Sequence, residues 1–281
     1  MRTLAGSLIC LLAGAGSAAA QGDCFPPKDS HEARTLAIAS VPLVMSPLGA
    51  PAPVRRTTVR FGLEGATVPS ADSLTRTATL CRPGKGPERI DFLFAIPRPR
   101  LDVLLPAGLG FEVSWIPPLR VDGVRANVLG LALGGRIPIG GMTLGLRGHA
   151  TVGLVRAPIT CDTDALSDPA SECFNGTRSD DRFHPNIFGA DATVGFPLAG
   201  GRLRPYFGTG INVLHPRFQV NFTNSQGSTD NRKIEVDLVR GVAFAGMSWT
   251  PAASWELAGE LYVSPADAVS GRVAVRRSLL P

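Results

Sequence analysis

The segment Met142 to Val155, MTLGLRGHATVGLV, sorts its residues by parity. Met142, Leu144, Leu146, Ala150, Val152 and Leu154 form one apolar row, broken only by Gly148. Thr143, Arg147, His149 and Thr151 fill the other row, with Gly145 and Gly153 as spacers. A period of two places successive side chains on opposite faces of a β-strand. At about fourteen residues the segment far exceeds the usual strand of about five or six. A long strand with one apolar and one charged face fits a closed barrel whose outside meets lipid and whose inside is polar.

The same alternation recurs down the chain. Thr57–Thr67 sets Val59, Phe61 and Leu63 against Arg60 and Glu64, and Phe111, Val113 and Trp115 alternate with Glu112 and Ser114. Further strands are predicted over 99–105, 127–137, 185–198, 202–220, 233–249, 255–263 and 269–277. A slip of phase near Leu238–Arg240 reads as a β-bulge. Segment 74–80 and the apolar run Leu36–Met45 are candidate extra strands, the latter alternatively a tether. Short connections (PAGLG, PIGG, AGG, TPAAS) alternate with long ones, such as 158–184 and TNSQGSTDNR. That rhythm predicts an all-β, antiparallel up-and-down transmembrane β-barrel of about ten strands, with eight to twelve possible and both termini at the short-turn end.

Three divisions follow: a signal peptide over 1–20, a Pro-rich segment over 21–56, and the barrel over 57–281. Residues 1–20 carry one early arginine, an apolar stretch and a small-residue end, as export signals do. Removing them takes one arginine and no acid, which lowers the net charge from +5 to +4. The cations are dispersed and nearly all arginine, so nucleic acid is not an expected partner. No later segment reaches the ~18 apolar residues of a transmembrane helix.

Export permits disulfides. Cys161 and Cys173 flank one polar loop and are expected to pair; Cys24 and Cys81 then pair by elimination. Neither pair has zinc-site spacing, so no metal is expected. The second pair carries a consequence, because the strand count puts Cys24 at the short-turn end and Cys81 near a long loop. Joining them needs the 21–56 segment either to thread the lumen, which would make it a plug, or to lie differently from the periplasmic tether that the strand count otherwise implies.

Strands such as FGADATVGF, LRPYFGTGINVL and WELAGELYV make the chain resemble small outer-membrane β-barrel proteins of Gram-negative bacteria, over roughly residues 57–281. The resemblance implies residence in the outer membrane. It also implies two partners, the lipid bilayer and the machinery that assembles such barrels. The chain departs from the pattern in ending SLLP instead of in an aromatic residue, and in an aromatic content of 6%. Trp115, Trp249 and Trp255 fall near predicted strand ends, where a partial interfacial girdle would sit.

The polar rows hold Arg60, Glu64, Arg100, Asp102, Glu112, Arg136, Arg147, His149, Asp191, Arg204, Glu256, Glu260, Arg272 and Arg276. In a barrel of about ten strands the interior is narrow, so these residues are expected to line the lumen and fill it with an ion-pair network. The expected role is structural, adhesive or small-solute-passing, with no cofactor and no defined small-molecule ligand. Two alternatives are open. A rim-active protease or lipid hydrolase would use Asp180, Asp181, His184 or His215, though no nucleophile elbow or metal-binding histidine pair accompanies them. A soluble secreted β-sandwich binding protein would turn the charged rows to solvent.

Overall fold

A computed structural model describes residues 22–70, 78–86, 88 and 93–279. Ten long strands close on themselves: β1 Thr58–Thr67, β2 Ala95–Leu104, β3 Leu109–Ile116, β4 Val124–Ile139, β5 Met142–Ala157, β6 Ile187–Gly195, β7 Leu203–Leu214, β8 Leu238–Ala252, β9 Trp255–Ser264 and β10 Ala268–Ser278. Each pairs antiparallel with its sequence neighbour, and β10 closes the ring on β1, with Leu63 opposite Val275. Closure removes the sheet edges that would otherwise expose unpaired backbone. It also rules out the sandwich alternative, which needs two separate sheets.

The parity of the sequence maps onto inside and outside. On β4, Leu129, Leu131 and Leu133 are exposed on the outer face, Leu133 at 65%. Phe61, Phe111, Leu146, Phe207, Ile211, Met247, Leu261 and Val273 continue this outward apolar surface around the barrel. Trp249 and Trp255 stand exposed beside the short-turn end, and Trp115 toward the long-loop end. The turns at 105–108, 140–141 and 253–254 are short. Pro97 and Pro99 lie in β2 above Arg100, where its ladder with β3 begins, so their missing N–H groups interrupt no bond to β3.

At the long-loop end the wall extends past the ring. Asp181–His184 pairs with the end of β5, Arg217–Gln219 pairs with Asp181–His184, and Lys233–Glu235 pairs with Arg217–Gln219. Lys233–Glu235 and β8 are separate strands divided at 236–237, which accounts for the slip of phase near 238–240. The register irregularity in β8 instead falls between Trp249 and Ala252. Both expected disulfides are formed, Cys24–Cys81 and Cys161–Cys173.

The segment before β1 is neither a strand nor extended throughout. Residues His31–Ser40 form helix α1, capped by Ser30, whose side chain accepts the Ala33 N–H, and a 3-10 turn follows over Val41–Leu43. The apolar run 36–45 thus splits between a helix and an inner extended stretch. The sheet edge at Lys233–Glu235 is met instead by Cys24, whose N–H donates to Lys233 O at 2.8 Å. Because α1 sits at the long-loop end, the first described residues lie opposite β10's end, not beside it. The expected export signal over 1–20, and all but the end of the candidate strand over 74–80, lie outside the described residues.

Candidate functional site

The interior is occupied by backbone. From α1 the chain runs through the barrel over residues 41–51 and emerges at the short-turn end to begin β1. Inward arginines hold it by its carbonyls. Arg272 donates to Val41 O at 2.8 Å and Val44 O at 2.9 Å. Arg98 donates to Leu43 O at 3.1 Å and Val44 O at 3.0 Å. Arg147 reaches Met45 O at 2.5 Å and Ser46 O at 3.1 Å. Arg100 reaches Ser46 O at 3.0 Å and Pro47 O at 3.2 Å, and Arg276 reaches Pro47 O at 3.4 Å. The segment's amides find acceptors too: Leu48 N–H donates to Glu260 at 3.1 Å and Ala50 N–H to Ser248 Oγ at 2.9 Å. An extended segment inside a barrel has no strand partner, so side chains must satisfy its polar backbone.

The same arginines are tied to one another through carboxylates. Glu64 joins Arg98 and Arg100, and Arg100 also meets Asp102 at 3.1 Å and Glu112 at 2.5 Å. Arg147 bridges Glu112 at 2.8 Å and Asp191 at 3.0 Å. Nearer the short-turn end, Arg60 spans Asp102 and Glu256, Arg276 spans the same two acids, and Arg204 meets Glu256 at 3.1 Å. Arg136 stands at 3.7 Å from Glu112. His149 lies 3.7 Å from Asp191, and Glu260 accepts the Tyr206 hydroxyl at 3.0 Å. Guanidinium groups outnumber carboxylates here, and the threaded carbonyls absorb the surplus donors. The planar five-donor guanidinium suits this double duty where an ammonium would not.

Small residues make the room. Gly130, Gly145 and Gly195 fall on the inward rows, where a Cβ would press on the threaded segment. At Gly130 it would stand 3.1 Å from Met45 Sδ, at Gly145 3.2 Å from Pro51 Cβ, and at Gly195 3.0 Å from Pro51. Within the segment, Gly49 adopts φ +154°, with Arg276 Nη1 where a Cβ would project. Any side chain there would displace an arginine.

Each of the fourteen polar-row residues lies on the inner face, and all but His149, which only approaches Asp191, belong to the hydrogen-bond or ion-pair contacts just given. Arg98 is a further inward residue, two before Arg100 in the same parity, and the flanking prolines mask its strand in the sequence. Ser248, Tyr262 and Asn212 are further buried inward residues, with Asn212 donating to the Tyr262 hydroxyl at 2.7 Å and Arg272 stacked 4.1 Å over the Tyr262 ring.

The residues considered for rim chemistry are not gathered. His184 Nδ1 lies 2.9 Å from the Gly153 carbonyl, and Asp180 meets Arg156 at 3.5 Å. Asp181 is fully buried above the ring, where its carboxylate accepts from Thr160 N–H at 2.6 Å, Ser179 Oγ at 2.8 Å and Asn221 N–H at 2.9 Å. Burial pushes its carboxyl up to about 6 against those hydrogen bonds. His215 pairs instead with Asp237 at 2.8 Å, and Arg217 meets the same carboxylate, whose pKa these two bonds lower. Among the described residues no cluster of metal-ligating side chains occurs.

No family model matches the chain, and no curated protein matches it in sequence. Solved structures similar to it are outer-membrane β-barrels. Neisserial surface protein A aligns at 10% identity over 79% of this chain and 96% of its own, with a TM-score of 0.30. Ail, the attachment invasion locus protein of Yersinia pestis, aligns at 10% identity over 79% and 95%, with a TM-score of 0.32. The TodX monoaromatic hydrocarbon channel aligns at 10% identity over 80% of this chain and 67% of its own, with a TM-score of 0.33.

Proposed function

We propose that this chain is an outer-membrane β-barrel that displays its long loops at the cell surface, and that its own residues 41–51 close its lumen as a plug. On this reading its role is structural or adhesive, with no solute passed and no catalysis. Its partners are the outer-membrane lipid that the outward apolar rows would face and the machinery that assembles barrels. The observation that carries the closed lumen is the run of arginine-to-carbonyl hydrogen bonds from Val41 to Pro47. A charged interior holding a hydrogen-bonded backbone supports a closed lumen, and wide pores need about sixteen strands. The long-loop end is assigned to the outside because such barrels keep short turns in the periplasm.

The test is made on mature protein refolded in detergent. An unboiled sample should migrate faster than a boiled one on a gel, and the folded protein in a planar bilayer should give no unitary current steps. Reproducible steps of one size would replace the closed-lumen reading with solute passage. Absence of the gel shift would remove the membrane barrel itself.

A further inference from the structure

Away from the arginine network, the long-loop end holds a cavity of about 140 Å³. Its walls come from α1 and the following turn (Leu36, Leu43), from the β5 end (Val155), and from the rim extension (Phe183, Phe218, Ile234). Leu36, Leu43, Phe183, Phe218 and Ile234 are all buried in one hydrophobic cluster, so the floor of this pocket is core while its mouth opens at the rim. The few polar groups at its edge are already engaged. Glu32 accepts the Cys81 N–H at 2.8 Å, Arg82 pairs with Glu88 and Glu172, and Lys85 meets Glu88 at 2.6 Å. A buried water needs two to four polar partners, and apolar cavities of about 150 Å³ stay dry and take benzene. At its roof the Cys24–Cys81 bond and the Glu32 contact tie the N-terminal segment to the chain at Cys81. A preformed apolar pocket of this kind is the usual setting for a small ligand.

We propose that this cavity binds a neutral hydrocarbon group of about six to eight carbons, sized by that benzene precedent. Among the described residues the charges at its edge are paired, which disfavours an acid or an amine. The group has two possible sources: a free small hydrocarbon, or the end of a lipid acyl chain entering from the rim.

Crystals of the disulfide-intact protein soaked in iodobenzene test the first source, and crystals grown from bicelles of phospholipid brominated near the acyl terminus test the second. An anomalous peak between Leu36 and Phe218 is expected in at least one. Iodine alone assigns a free molecule, and bromine assigns a lipid chain. Ala39 also lines the cavity. Ala39→Phe, or Ala39→Leu if the larger variant fails to give the gel shift, should abolish the peak while the folded band persists. No peak in either crystal, or a peak unchanged in the filled variant, overturns the proposal.

Discussion

At the scale of single residues, the inward positions have a size or charge that suits a backbone instead of water. Gly195 lies 3.0 Å short of Pro51 at the position of its would-be Cβ. Gly195→Val should therefore overpack the lumen and cost about 1–3 kcal/mol, read as a lower midpoint of heat-modifiability. Gly141, in a tight turn with nothing near its would-be Cβ, is the control: Gly141→Ala should leave the midpoint within about 0.5 kcal/mol. Arg98→Met is expected to be worse than Gly195→Val. It strips Glu64 of one of its two guanidinium partners and leaves the Leu43 carbonyl without its donor, while Val44 keeps Arg272. Removing one partner from a buried pair costs about 3–5 kcal/mol. Asp181 adds a pH dependence outside the spanning strands. Its folded pKa of about 6 is raised above the ordinary carboxylate value, so the fold prefers the protonated form. That preference stabilises fully below about pH 4 and is lost as pH rises through 6, on the order of 3 kcal/mol at most. Limited proteolysis of the 158–180 loop should accelerate across that window in the native protein, and Asp181→Asn should flatten the profile.

At the scale of elements, the barrel strands were legible because each depends on one local signal. Parity along β5 or β9 is readable wherever lipid-facing and lumen-facing residues differ in kind. Helix α1 was less legible. Its apolar residues face a rim core assembled from distant strands, and the cap at Ser30 is a single-residue cue. Arg98 was hidden by Pro97 and Pro99, which suggest a loop until β3's ladder is seen to begin only at Arg100. The break at 236–237 looked like a bulge because both give the same change of phase; only the pairing of Lys233–Glu235 with Arg217–Gln219 separates them. The two cystine links act at this scale as well. A cross-link over a separation of 57 residues restricts the unfolded chain more than one over 12, about 4 against about 3 kcal/mol by loop entropy. Cys24→Ser/Cys81→Ser should keep the ten-strand band yet expose the N-terminal segment to trypsin at Arg34. Cys161→Ser/Cys173→Ser should leave Arg34 protected.

At the scale of the whole molecule, charge pattern, cysteine placement and strand count met in one geometric problem. A bond from Cys24 to a long-loop cysteine, in a chain whose barrel begins at the short-turn end, admits a path through the interior. The structure takes that path, and the inward arginines, glycines and Ser248 are the chemistry that makes it tolerable. What no sequence pattern disclosed was the contact list of that path, because backbone carbonyls at 41–47 carry no side-chain signature. The most direct measurement places one epitope tag just before Gly22 and, in a second protein, one in the turn at 140–141, and probes intact cells with antibody. The tag before Gly22 is expected to be detected on intact cells, and the tag at 140–141 only after the outer membrane is permeabilised. A tag before Gly22 that stays hidden until permeabilisation would contradict the threaded lumen.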